Sequence, residues 1–130
     1  MIVIDASAAI ELLLNTRSAA RIAERVFAAD ESLHAPHLID LEVLQVLRRY
    51  LLAKELTAAR AQQAMEDLND LVLHRYAHSD LAPRIWALRN SLTAYDAAYV
   101  SLAEALNAKL ITRDVKLGNS HGHRARIEVV

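Results

Sequence analysis

The sequence predicts an α/β fold, and three observations carry that prediction. Short apolar, β-branched runs alternate with longer stretches of helical character along the whole chain. The first of these runs, Met1–Ile4, has no polar residue at all, the pattern of a strand buried on both faces of a sheet. Punctuation is sparse: two Gly and two Pro among 130 residues leave no linker-like tract and no repeat. Strands alternating with helices imply a mainly parallel sheet covered on both sides. One domain over residues 1–130 is the expectation.

In order, Met1–Ile4 is the first strand, and residues 7–15 and 18–29 read as helices. Leu33–Ala35 is a short strand stopped by Pro36, which cannot donate to a ladder. Residues 37–53 form a long helix, and residues 57–71 another, with Thr57 as its cap. Val72–Tyr76 is a strand, and Leu81–Arg89 a helix with Pro83 in its first turn. Residues 93–107 make the clearest helix of the chain; Leu110–Thr112 and Ile127–Val130 are apolar enough for strands. Helix dominates.

Hydrophobic residues make up 54% of the chain and aromatics 5%, so the core is aliphatic and a disordered chain is excluded. Without cysteine there are no disulfides and no thiolate metal sites, which fits a reducing cytoplasm. The opening apolar run is too short for a signal peptide, and nothing later has the length of a membrane span. A soluble cytoplasmic protein is expected. The net charge of −1 favours no partner, but Lys109, Arg113, Lys116, Arg124 and Arg126 crowd the last quarter. Such a tail reads either as a phosphate-holding patch or as a solvated charged edge.

Sites in open parallel sheets form beyond the carboxyl ends of the strands, where the strand order reverses. Asp5 stands directly after the first strand, and Asp114 follows the strand ending at Thr112. Asp96 lies in the first turn of the helix leading into that strand. All three belong near one edge of the sheet. Each also has a plain local role: Asp5 as a helix cap, Asp114 as a turn residue, Thr93-Ala-Tyr-Asp96 as a capping box. Yet Asp96 heads a mostly apolar face through Tyr99, Val100 and Ala103. Glu42 sits on a helix that is apolar over most of its circumference. At about 100° per residue, Glu42, Gln45 and Arg49 share one narrow polar stripe, which faces either water or a charged cleft.

Four carboxylates in one cleft repel each other unless a cation neutralises them. An all-oxygen set selects Mg²⁺ or Mn²⁺ over zinc, and the chemistry implied is phosphodiester hydrolysis by a metal-activated water. The six histidines place no three on one rigid element, which argues against structural zinc. No Gly-rich phosphate loop or dinucleotide fingerprint competes. A receiver-like signalling domain, the alternative from another class, would want a second acid beside Asp5, where Ala-Ser stands, and an Asp after a middle strand. Tyr95 and Tyr99 are expected to pack their rings in the core with the hydroxyls on polar partners; stacking a splayed-out RNA base is the alternative. Trp86 is expected to anchor the core or a dimer interface.

MIVIDASA at the start, Leu41-Glu42-Val43, the string Leu92-Thr93-Ala94-Tyr95-Asp96-Ala97-Ala98-Tyr99 and Leu110-Ile111-Thr112-Arg113-Asp114 together resemble the PIN-domain ribonucleases. More narrowly they resemble the VapC toxins of bacterial toxin–antitoxin pairs, in order and over essentially the whole chain. The resemblance implies a three-layer α/β/α sandwich and an endoribonuclease dependent on Mg²⁺, with Mn²⁺ as a substitute. It implies metal held by Asp5 and Asp96, with Glu42 and Asp114 completing the catalytic set. It places the hydroxyls of Ser7 and Thr112 around these carboxylates, and Arg89 and Asn90 toward substrate phosphate or the rim of the site; Arg113 and Lys116, from the basic tail, are further candidates for binding substrate. It further implies a homodimer and a VapB-like antitoxin that plugs the cleft. A PIN-type nuclease in RNA processing or on DNA, without antitoxin, is the alternative within the family. The stretch after Asp114 offers Asn119 and no further acid, so one-metal hydrolysis stays open beside two-metal.

Overall fold

Ile2, Val3 and Ile4 are buried and form β1 (Ile2–Ile4), the central strand of a five-stranded parallel sheet. A computed structural model describes residues 1–130. The other strands are β2 (Leu33–Pro36), β3 (Leu73–Tyr76), β4 (Lys109–Thr112) and β5 (Arg126–Val129), in the order β3-β2-β1-β4-β5. All pairings are parallel; Ile2 stands opposite Leu33 on one side and Lys109 on the other. The order reverses between β1 and β4. Asp5 and Asp114 follow those two strands, so the sequence places one acid on each side of the switch point.

Helices α1 (Ala6–Leu13) and α2 (Ala19–Val26) join β1 to β2; α3 (Leu38–Leu52) and α4 (Ala58–Asp70) join β2 to β3. These crossovers run toward β3. Helices α5 (Ala82–Ala87) and α6 (Ala94–Leu106), then α7 (Val115–Gly118), run the other way. Right-handed crossovers therefore put α1–α4 on one face and α5–α7 on the other. The packing agrees: α1 meets α2, α3 and α4, while α6 meets α5 and the strands β1, β2 and β4. The result is the expected three-layer sandwich around one aliphatic core of 31 buried residues.

Most element boundaries fall within a few residues of expectation. β2 extends through Pro36, tolerated as the last residue of the strand opposite Tyr76. The element that sequence does not reveal is α7, a single turn capped by Asp114 and too short to show a period. It lies so close to β5 that a Cβ at Gly118 would collide with a Val129 methyl carbon, so glycine fits there without displacing β5. Because glycine is so scarce, Asn15, Asp30, Lys54 and Asn107 take the left-handed backbone positions that end helices or turn loops.

Two expectations need correcting. Trp86 is 69% exposed, because α5 lies shallow on α6 and buries none of its residues, so it does not anchor the core, and of its two expected roles only the dimer interface is left. The basic tail does not form one patch either. Lys109 opens β4 opposite Arg126, at the end of the strand away from Asp114. Lys109 pairs with Glu128 at 2.8 Å, and Arg126 donates to the Asn107 carbonyl at 2.9 Å. No helix is long and apolar enough to cross a membrane.

Candidate active site

Asp5 caps α1 and is at the same time buried, only 6% exposed. Its Oδ1 accepts from the Ser7 hydroxyl at 2.6 Å and from the Ala8 amide at 3.0 Å, and its Oδ2 accepts from the Thr112 hydroxyl. Ser7 in turn accepts from the Arg113 amide at 2.9 Å, and Thr112 from the Asp114 amide at 2.9 Å. The two hydroxyls, 3.3 Å apart, thus tie the ends of β1 and β4 around one carboxylate. Burial pushes the Asp5 carboxyl above its usual range; these hydrogen bonds hold it back in part, and the Asp96 charge adds to the rise.

Glu42 stands one turn into α3, half-buried, with Oε1 accepting from the Tyr99 hydroxyl at 2.7 Å. Burial raises this carboxyl too, the Tyr99 bond opposes the rise, and the charges of Asp5 and Asp96 reinforce it. Asp96 occupies the first turn of α6, where its amide donates to the Thr93 cap at 3.1 Å. Burial, then the charge of Asp114, raises Asp96 as well. Asp114 caps α7, its Oδ1 accepting from the Lys116 amide at 2.8 Å and the Leu117 amide at 3.3 Å.

The plain local roles read from the sequence are therefore real, and they coexist with convergence. Capping fixes the Asp5 and Asp114 carboxylates at helix N-termini beside the switch point, and Asp5, Glu42 and Asp96 each sense the charge of another acid. No cation pairs with Asp5, Glu42, Asp96 or Asp114. As the side chains stand, no three Asp, Glu or His residues cluster tightly enough to cage one metal ion. Any fit to a metal rests on the donor set: carboxylate oxygens with hydroxyls behind them, suited to a hard divalent cation.

The four basic or polar candidates separate. The Arg89 guanidinium lies over the Trp86 ring at 4.8 Å and donates to the Trp86 carbonyl, and that of Arg113 donates to the Val130 carbonyl. Asn90 and Lys116 are exposed and enter no ion pair, with Lys116 the second residue of α7, two after Asp114. Tyr99 behaves as expected, ring in the core and hydroxyl on a polar partner. That this partner is Glu42 is not evident from sequence, although a residue three after Asp96 lies on the same helix face. Tyr95 departs from expectation: it is 67% exposed, at the rim of the cleft.

A family model for the PIN domain matches residues 2–119. A VapC ribonuclease of Mycobacterium bovis is 44% identical over 130 residues, covering the whole of this chain and 98% of that protein. The crystal structure of PAE2754 from Pyrobaculum aerophilum superposes with a TM-score of 0.75 at 22% identity, over 99% of this chain and 83% of that one. A toxin–antitoxin complex from Klebsiella pneumoniae superposes with a TM-score of 0.68 at 21% identity, over 91% and 90%. At those identities the two structures speak for the fold. The family model and the 44% relative, spanning nearly the same residues as the acidic cleft and its sheet, decide the kinship: the chain belongs to the PIN-domain family, among the VapC ribonucleases.

Proposed function

We propose that the chain is a metal-dependent endoribonuclease, the toxin of a toxin–antitoxin pair, acting as a single domain on RNA in the cytoplasm. One observation carries the reading most: three carboxyls from three separate segments stand near enough beside the switch point to feel one another's charge, with no cation paired to any of them. A fold has no reason to gather such groups, since each raises the cost of ionising the next. The name of the Mycobacterium bovis relative supports RNA as substrate, and the likeness to a toxin–antitoxin complex supports a VapB-like protein partner.

Asp5 and Asp96 would hold Mg²⁺ or Mn²⁺, with Glu42 and Asp114 completing the set. Bound there, a hard divalent cation supplies a water of lowered pKa and neutralises charge developing on the phosphoryl group. The chain's own residues do the rest. Ser7, Thr112 and the Ala8 amide fix the Asp5 carboxylate in one orientation, so no rotamer freedom is lost when substrate arrives. Tyr99 does the same for Glu42. Lys116 is free to meet a substrate phosphate, a task that Arg113 and Arg89, engaged elsewhere, are less able to perform.

Asp96→Asn tests the reading. Mg²⁺-dependent cleavage of single-stranded RNA should fall at least about a hundredfold, while circular dichroism stays unchanged. Cleavage at the parent rate would remove Asp96 from the site. Expression of the wild-type chain alone should arrest growth and that of the variant should not; a harmless wild type would return the chain to RNA processing without an antitoxin.

A further inference from the structure

We propose that the cleft beside the acids, walled by Tyr95, Leu41, Gln45 and Arg49, is a subsite for one nucleotide of single-stranded RNA, its base stacked on Tyr95. This deepens the ribonuclease reading and rests on it.

The cleft holds about 480 Å³ and lies where α1, α3 and α6 meet. Ser7 and Glu42 line it, so it borders the Glu42 carboxylate and the hydroxyl that donates to Asp5. Beyond them the polar stripe of α3 continues through Gln45 to Arg49. Seven residues separate Glu42 from Arg49, which is about 10 Å along the helix axis. The stripe read from the sequence thus faces a cleft, and its charge changes sign along the way, from carboxylate at the reacting end to guanidinium at the far end. No ion pair engages Arg49.

Tyr95 and Leu41 give the cleft its apolar surface. Tyr95 is 67% exposed and Leu41 72%, far above what packing in the core leaves accessible. Tyr95 is held by the helix that carries Asp96, one residue on, so its backbone is fixed relative to the acids rather than carried on a loop. An exposed flat ring, an amide and a free guanidinium match the three parts of a nucleotide: the base to stack, its edge to hydrogen-bond, and a neighbouring phosphate to neutralise. A peptide fits less well. Helix side chains wall the cleft, so no strand edge is offered for β-addition, and the stripe of Glu42, Gln45 and Arg49 interrupts the apolar face an amphipathic helix would need.

The test uses the full chain and short single-stranded RNAs carrying 2-aminopurine at each position in turn. Stopped-flow mixing in Mg²⁺ reads quenching of the stacked base before the strand is cut, and KM and kcat are taken on the same oligonucleotides. Wild type, Tyr95→Phe and Tyr95→Trp should quench one position next to the cut. Tyr95→Ala should lose that quenching and raise KM about 5- to 100-fold, the ordinary worth of one base on one ring. An abasic nucleotide at that position should cost the wild type the same factor and cost Tyr95→Ala nothing further. Arg49→Ala should weaken binding of all sequences alike and lower the salt slope by about one. A wild type that cleaves RNA while Tyr95→Ala quenches and binds as it does overturns the subsite alone. So does Tyr95→Ala if it loosens only the protein partner, which would assign the cleft to a peptide. A wild type that neither binds nor cuts RNA overturns the subsite and the ribonuclease reading together.

Discussion

Helix α6 carries two acids that live under opposite electrostatics. Asp96 stands in its first turn with no cation near it, raised by burial and by Asp114. Glu104, eight residues on, receives two bonds from the Arg84 guanidinium, at 2.7 and 3.0 Å, and one from the Arg124 amide at 2.7 Å. The Arg84 bond, against the pull of burial, lowers its carboxyl. Glu128 on β5 repeats the second pattern, held low by Lys109 and Arg25 at 2.8 Å each. The chain carries 15 Lys and Arg against 16 Asp and Glu, and it sets some of those cations on Glu104 and Glu128. At the switch point it leaves Asp5, Glu42 and Asp96 without one. In the proposed function, a divalent metal bound there would supply the missing charge from outside the chain.

The comparison breaks most readily at Tyr99. If its hydroxyl serves to hold Glu42 for a cation, Tyr99→Phe should weaken Mn²⁺ binding about tenfold, read by titration calorimetry, with little change in thermal stability without metal. A variant that loses stability but not metal affinity would make Tyr99 a core residue only. At the other end of the contrast, Glu104→Gln should destabilise the chain by about 1–2 kcal/mol in urea, because its side chain is only 7% exposed and both partners lose a charge-assisted acceptor. Its pH dependence has a definite sign. A carboxyl held below its ordinary value stabilises the fold above that value, and the contribution is lost as pH falls through the lowered one. The wild type should therefore lose stability relative to Glu104→Gln on acidification below about pH 4.5, and equal acid limbs would deny the ion pair any part.

How much of this is legible in the sequence depends on whether a residue's role is set locally or by what another segment brings to it. The strands and the acids at their ends are local. Asp5 must follow β1 and Asp114 must follow β4 whatever the rest of the chain does, so the place of these two acids beside the switch point is readable from the order of residues alone. The faces of uniformly apolar helices are not local. On α3, Leu38, Ile39, Val43 and Leu47 are buried, whereas Leu41 and Leu52 are exposed, and nothing in a leucine-rich run says which side meets the sheet. On α6 nearly the whole circumference is buried from Ala97 to Ala103, so its apolar pattern draws Tyr95 into the same core although Tyr95 precedes the buried stretch. The basic tail misleads for a third reason. A strand carries its two ends to opposite edges of the sheet, so Lys109 and Arg113, four residues apart, never share a patch.

The smallest expected effect is the sharpest on the comparison, because its sign is opposite to what mutation usually does. Removing a charge from Glu104 costs stability; removing one from Asp96 should add it. Asp96 makes no ion pair, is half-buried and faces Asp114, so Asp96→Asn relieves desolvation and repulsion together while the Thr93 cap still accepts from the amide at position 96. A gain of a few tenths to about 1 kcal/mol is expected at neutral pH and low salt without divalent ions, shrinking as salt screens the repulsion. On the proposed role of Asp96 as a metal ligand, saturating Mg²⁺ should reverse the order, since the wild type alone would then be stabilised by the ion through mass action. Two thermal melts of each protein, with and without the ion, therefore read the site without any RNA present. Asp96→Asn melting below the wild type in both conditions would make this acid a structural one, like Glu104, and erase the difference between the two ends of α6.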